Sequence, residues 1–135
     1  MPAIEKVGVV GLGTMGAGIA QLCVLAGVET VGREVTAEQG ERGRATIERF
    51  LARSVEKGQL EADARDAALA RLTVTTDIAD LAGCDLVIEA AFEDLGVKRG
   101  LVAELDEALR PDAIIATNTS ALSVTEVAAA ASHPE

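Results

Sequence analysis

Val7-Gly8-Val9-Val10-Gly11-Leu12-Gly13-Thr14-Met15-Gly16-Ala17-Gly18-Ile19-Ala20 is the stretch that decides the fold. Val7 to Leu12 is an apolar, β-branched run and reads as a strand. Met15, Ile19, Leu22 and Ala26 then recur at helical spacing. Between them stands a G-x-G-x-x-G run, Gly11-Leu12-Gly13-Thr14-Met15-Gly16. Such a run is informative only where it leaves a strand and opens a helix, which is its setting here. Each glycine has its own reason: Gly11 permits a tight turn, Gly13 lets a pyrophosphate reach the backbone, and Gly16 lets the helix pack closely on the strand. The N–H groups of the turn, with Leu12, Thr14 and Met15 contributing theirs, and the positive helix end would then hold the pyrophosphate. A Gly-rich turn without a ligand is the plain alternative.

The run also says where to look next. A dinucleotide site of this kind needs an acidic residue about 20 positions on, at the end of the second strand. Glu34 stands 23 residues after Gly11, closing the weaker strand pattern Val28 to Arg33, which Gly32 interrupts. Its carboxylate can accept from both ribose hydroxyls and would repel a 2′-phosphate, which favours NAD over NADP. Arg33 argues the other way, since a nearby Arg can accommodate that phosphate. Successive strand residues face opposite sides, so Arg33 is expected to point away from Glu34.

Leu72 to Thr76, Leu86 to Ala90 and Ile114 to Thr117 read as further strands, with Val97, Leu101 and Leu105 on a helix between the last two. Strands alternating with helices give an α/β fold, a Rossmann-type doubly wound parallel sheet. The connection from Thr36 to Arg71 is too long for one crossover helix. Ile47, Phe50, Leu51, Ser54 and Val55 mark one helix, Gly58 suits its left-handed end, and Leu60 to Leu72 is a second helical stretch. Together they read as a helical hairpin inserted after the second strand and projecting from the sheet, either a stabilising insertion or a platform for a bulky ligand. Thr36 with Gln39 and Ser123 with Glu126 fit capping boxes, and Asp94 suits a helix cap.

Composition excludes several classes. The 135 residues suit one domain, expected to span 1–135. The formal charge of −10 makes nucleic acid and anionic membrane poor partners. No apolar run approaches the roughly 18 residues of a membrane span, and the N-terminus lacks signal-peptide features, so a cytoplasmic location is expected. Cys23 and Cys84 lie far apart in apolar segments and read as core residues, with no metal-ligand spacing. The one histidine, His133, sits near the end of the sequence, so no metal site is expected. Phe50 and Phe92 are the only aromatic residues, too few for recognition by stacking.

Three segments, in order, resemble the 3-hydroxyacyl-CoA dehydrogenase family, including 3-hydroxybutyryl-CoA dehydrogenase. They are Val7 to Ala20; Asp85-Leu86-Val87-Ile88-Glu89-Ala90 continuing to Glu93-Asp94 and Val97-Lys98; and Ile115-Ala116-Thr117-Asn118-Thr119-Ser120 continuing to Leu122-Ser123. The resemblance implies oxidation of the 3-hydroxyl of an acyl-CoA, with hydride passed to NAD, in fatty-acid or short-chain acyl-CoA metabolism. It implies that Ser120 hydrogen-bonds the reacting oxygen, that Glu93 and Lys98 lie near the nicotinamide ribose, and that Asn118 orders the loop or contacts the nicotinamide side. Lys57, in the hairpin, matches a lysine that approaches CoA phosphate. The family's catalytic histidine and partner glutamate match positions beyond Glu135, as does the helical domain that completes the substrate pocket and forms the homodimer. The 135 residues are thus expected to be an NAD-binding domain inactive by itself, with an apolar face near Ser120. Phe50 departs from the pattern, standing where relatives often carry a serine facing CoA. A phenyl group cannot supply that hydroxyl, which leaves open an acyl-carrier-protein thioester or a small hydroxy acid as substrate. A non-catalytic NAD-binding module is the reading from another functional class.

Overall fold

The computed structural model describes residues 4–90, 103–105, 107–109 and 113–117. β1 (Lys6–Val10) leads through the Gly-rich turn to α1 (Thr14–Leu25), and β2 (Glu29–Arg33) follows. α2 (Ala37–Glu56) and α3 (Ala62–Ala70) form the hairpin, and β3 (Leu72–Thr75) returns to the sheet. A short 3-10 turn, Ile78–Leu81, precedes β4 (Leu86–Glu89), and β5 (Ile114–Thr117) is the last described strand. All four strand pairings are parallel, in the order β3-β2-β1-β4-β5. The chain runs outward from β1 to β2 and β3, then returns to place β4 on β1's other side. The gap at the carboxyl ends of β1 and β4 is therefore the switch point at which open α/β sheets bind ligands. The Gly-rich turn leaves β1 at that point.

Strand alternation divides the core in two. Val7 and Val9 face one side, where Ala17, Ala20 and Val24 of α1, Ile47 and Leu51 of α2, and Ala68 of α3 bury against them. Val10, Val31 and Val87 face the other, with Leu81, Cys84, Leu105 and Leu109. The sheet is covered on both faces, as the doubly wound reading requires.

The hairpin follows β2 as the sequence reading expects, and its base is part of the core. Ile47, Leu51 and Ala68 are fully buried in the same core as Val9. Burying Ile47 and Leu51 contributes roughly 1.5–3 kcal/mol each, which holds the base of the hairpin down. Thr36 caps α2 by accepting from the Gln39 N–H at 3.1 Å, as read. The reciprocal half of the capping box is replaced by a side-chain contact, the Thr36 hydroxyl to Gln39 Oε1 at 3.3 Å. Gly58, at φ 72°, ends α2 in a Schellman turn: Gln59 N–H donates to Ser54 O at 2.9 Å and Gly58 N–H to Val55 O at 3.0 Å.

The approach to α1 differs from the sequence reading in one detail. The strand before it stops at Val10, because Gly11 at φ 94° turns the chain out of the sheet. Of the apolar residues at helical spacing, Ile19 packs partly against the core, whereas Met15 is 59% and Leu22 69% exposed; Gly16, Ala17, Ala20 and Val24 are buried. Helix and sheet meet too closely for large side chains, so the small residues face inward. Cys84 is fully buried and Cys23 partly so, and burial pushes the Cys23 thiol up, favouring its neutral form.

Candidate cofactor site

Gly11 N–H donates to Arg33 O at 2.9 Å, which ties the turn to the end of β2. A Cβ on Gly16 would lie 1.6 Å from the Gly11 carbonyl oxygen, so the helix begins almost in contact with its own turn. A Cβ on Gly13 would meet nothing within 4 Å. That opening lies at the start of α1, where Gly13 is the N-cap residue and no side chain caps the helix. No acidic residue stands in the first turn either. α2, by contrast, is both capped by Thr36 and carries Glu38 in its first turn. The first N–H groups of α1 are therefore left without a side-chain cap, the kind of helix end that suits an anion.

Glu34 reaches back over the turn. Its Oε2 accepts the Leu12 N–H at 2.8 Å and its Oε1 lies 3.3 Å from the Val35 N–H. A carboxylate has about four acceptor positions, so capacity for two ribose hydroxyls remains. Arg33 goes elsewhere, its Nε donating to Thr76 O at 3.2 Å beyond the end of β3. Although β2 ends at Arg33, the two side chains part as expected, Arg33 toward Thr76 beyond β3 and Glu34 toward Leu12 in the turn. Val35, 66% exposed immediately after Glu34, adds apolar surface that the sequence reading did not single out.

Lys57 lies at a different place. A groove of about 300 Å³ is lined by Gln21 of α1 and by Phe50, Arg53, Ser54, Lys57 and Gln59 at the far end of α2. The Arg53 guanidinium sits 6.0 Å from the Phe50 ring centroid, a cation–π distance. The Ser54 hydroxyl, one turn after Phe50, donates to Phe50 O at 3.2 Å. Arg53 was not singled out in the sequence, although its spacing from Phe50 and Lys57 places all three along one helix face. Two cations in one groove of a chain with formal charge −10 make it a local exception.

Glu89 was read only as part of a motif. It is fully buried at the carboxyl end of β4, opposite Val10 and Thr117. The signal was available: a carboxylate ending an apolar strand that the fold places at the sheet's centre. Glu93, Lys98, Asn118, Ser120 and His133 lie outside the described residues, as do the cap residues Asp94 and Ser123. Among the described residues, no group of His, Cys, Asp or Glu could hold a metal ion, and no helix is long and apolar enough to cross a membrane.

A parallel sheet in this order, a glycine turn opening α1 at the switch point, and an acid at the end of β2 together define a dinucleotide-binding domain. The sequence profile of the 3-hydroxyacyl-CoA dehydrogenase NAD-binding domain matches residues 6–135, and the chain belongs to that family, with NAD as its cofactor. Among curated relatives, 3-hydroxybutyryl-CoA dehydrogenase of Bradyrhizobium diazoefficiens is 46% identical over 132 residues, covering 98% of this chain and 45% of the relative. The Mycobacterium tuberculosis enzyme of the same name is 46% identical over 134 residues, 98% of this chain and 47% of the relative. The chain thus spans about half the length of the curated relatives it matches. The crystal structure of 3-hydroxybutyryl-CoA dehydrogenase from Escherichia coli K12 superposes with a TM-score of 0.96 at 41% identity, covering 99% of this chain and 28% of that one.

Proposed function

We propose that this chain is the cofactor half of an enzyme that oxidises the 3-hydroxyl of a 3-hydroxyacyl-CoA to the 3-ketoacyl-CoA. The observation that carries the placement of NAD is the uncapped, open start of α1 with the Glu34 carboxylate beside it. The pyrophosphate lies against the N–H groups of Gly11 to Gly16, including those of Leu12, Thr14 and Met15. Glu34 accepts from the adenosine ribose, and Val35 offers apolar surface nearby. NAD, when bound, accepts the hydride from the substrate's C3. Glu93, Lys98 and Asn118 attend its nicotinamide end, and Ser120 hydrogen-bonds the substrate oxygen. Lys57 and Arg53 meet CoA phosphate in the groove on α2.

Ribose recognition by Glu34 gives a direct expectation. Charge-assisted hydrogen bonds to a carboxylate contribute about 1.5–3 kcal/mol, roughly 10- to 150-fold in affinity. NAD should bind more tightly than NADP by a factor in that range. Glu34→Gln keeps an acceptor for the Leu12 N–H but loses the charge, so the preference should shrink to a few-fold. Calorimetric titration with both nucleotides measures it, and tighter binding of NADP by the parent would transfer the role to Arg33.

The chemistry also needs a base, worth about 10²–10⁴-fold in such reactions. By family resemblance His133 is not that base. NADH formation from 3-hydroxybutyryl-CoA by the 135-residue chain should therefore be undetectable. Joining the chain to the part of the Mycobacterium tuberculosis relative that it does not match should restore turnover. Equal rates with and without that part would rule out the division of labour and make Glu93 the first residue to replace. Phe50 in the groove lining supports a second reading, an acyl-carrier-protein thioester or a small hydroxy acid as substrate. A substrate panel on the joined protein separates the two.

A further inference from the structure

Leu12 lies inside the glycine turn, yet it is only 4% exposed. Its side chain occupies a socket built by two glycines that the G-x-G-x-x-G run does not include. A Cβ on Gly32, in β2, would stand 2.7 Å and 2.9 Å from the two Leu12 methyl carbons. A Cβ on Gly43, in α2, would stand 2.4 Å from Leu12 Cβ, 3.0 Å from Cδ1 and 3.2 Å from the Leu12 carbonyl oxygen. Neither glycine is among those with positive φ, namely Gly11, Gly27 and Gly58 among the described residues. Backbone conformation does not require glycine at 32 or 43; the close approach of Leu12 does.

The two contacts differ in kind. At Gly32 the obstacle is the tip of a side chain, which can rotate. At Gly43 it is the base of the side chain and the backbone of the turn, which cannot move without moving the turn. The same Leu12 has its N–H fixed from the other direction by Glu34 at 2.8 Å. The turn is thus set by a hydrogen bond on its backbone and by a knob seated against α2.

We propose that Gly43 is a positioning residue for the cofactor: it lets α2 press against Leu12 and thereby holds the turn's N–H groups in the arrangement that receives a pyrophosphate. The proposal rests on the placement of the pyrophosphate at Gly11 to Gly16. Pre-set donors bind an anion without an ordering cost at the moment of binding, so a displaced turn loses affinity even in a folded domain.

Gly40 supplies the control. It lies one turn earlier on α2, and its added Cβ would meet Val74 Cγ1 at 2.8 Å, with no atom of Leu12 among its close neighbours. Gly40→Ala and Gly43→Ala both crowd the packing of α2, but only Gly43→Ala pushes on the turn. Melting temperature and the Kd for NAD are measured on the 135-residue chain carrying each substitution. Both variants should melt lower than the parent. Gly43→Ala should raise the Kd at least tenfold, while Gly40→Ala leaves it within twofold. A Gly43→Ala Kd within twofold of the parent, or equal losses in both variants, would overturn the proposal. Should Gly43→Ala not fold, Leu12→Ala empties the socket instead. It should raise the Kd about fivefold or more, and an unchanged Kd would again overturn the proposal. Gly13→Val tests the placement separately. Unimpaired NAD binding by that variant defeats both readings, whereas its loss beside an unaffected Gly43→Ala defeats only this one.

Discussion

Gly13→Val should fold as the parent does and bind NAD at least about 100-fold more weakly, a loss of roughly 2.7 kcal/mol. The expectation joins two observations about one position. Gly13 has φ −67° and ψ −167°, an extended conformation that any residue adopts. A Cβ there meets no protein atom within 4 Å. Nothing in the fold itself therefore asks for glycine. What the open space admits is a ligand approaching the first N–H groups of α1, and a branched side chain would occupy that space. Circular dichroism should superpose on the parent and the melt should fall by only a few degrees, the cost of a branched residue at the N-cap, while calorimetric titration shows the loss. A variant that binds NAD normally would move the pyrophosphate away from this turn.

Gly16→Ala should do the reverse and damage the fold. Its Cβ would sit 1.6 Å from the Gly11 carbonyl oxygen and 2.8 Å from the carbonyl carbon, with the Val9 side chain at 3.5 Å. The obstacle is backbone, already fixed by the Gly11 N–H bond to Arg33 O at 2.9 Å. Relief requires α1 to swing away from β1, opening the core that Ala17, Ala20 and Val24 make with Val7 and Val9. Losses of about 4 kcal/mol or more are uncommon for single substitutions and arise from such unrelievable clashes. The melting temperature should fall by roughly 10 °C or more. A shift of only a degree or two would mean that the turn yields more easily than this packing allows. The two glycines stand three positions apart in one motif. Their substitutions should separate binding from stability, because one faces the ligand and the other faces the protein.

Much of this arrangement was readable from the residues alone, because it rests on local chemistry. The turn after β1 is legible because tight backbone geometry at Gly11 and close approach at Gly16 exclude other residues, and glycine spacing records that. Glu34 is legible because a β-strand has a fixed rise, so its end falls at a set distance from the turn. Gly58 and Thr36 marked the ends of α2 for equally local reasons, a left-handed residue and a hydroxyl that caps. The alternation that parts the Arg33 and Glu34 side chains is a property of any extended segment. Membership of the 3-hydroxyacyl-CoA dehydrogenase NAD-binding domain family was readable from three short segments in order.

What tertiary structure decided was every property that depends on distance between remote segments. The helical spacing of Met15, Ile19 and Leu22 does not say which face of α1 is buried; the small residues Gly16, Ala17 and Ala20 bury, because the Gly11 and Gly16 contact brings the start of the helix close to the sheet. Gly32 looked like a break in a strand and is instead a fully paired position, in register with Val9 and Val74, whose missing Cβ makes room for Leu12. The groove joining Phe50, Arg53 and Lys57 to Gln21 exists only because α2 lies along α1. Gly43 is 31 residues from Leu12 in the chain, and no local pattern relates them. Their contact follows from the packing of α2 over the turn, a consequence of burying Ile47 and Leu51 further along the same helix. Sequence spacing specifies which backbone shapes are possible, whereas the burial of side chains from distant elements chooses which surfaces meet.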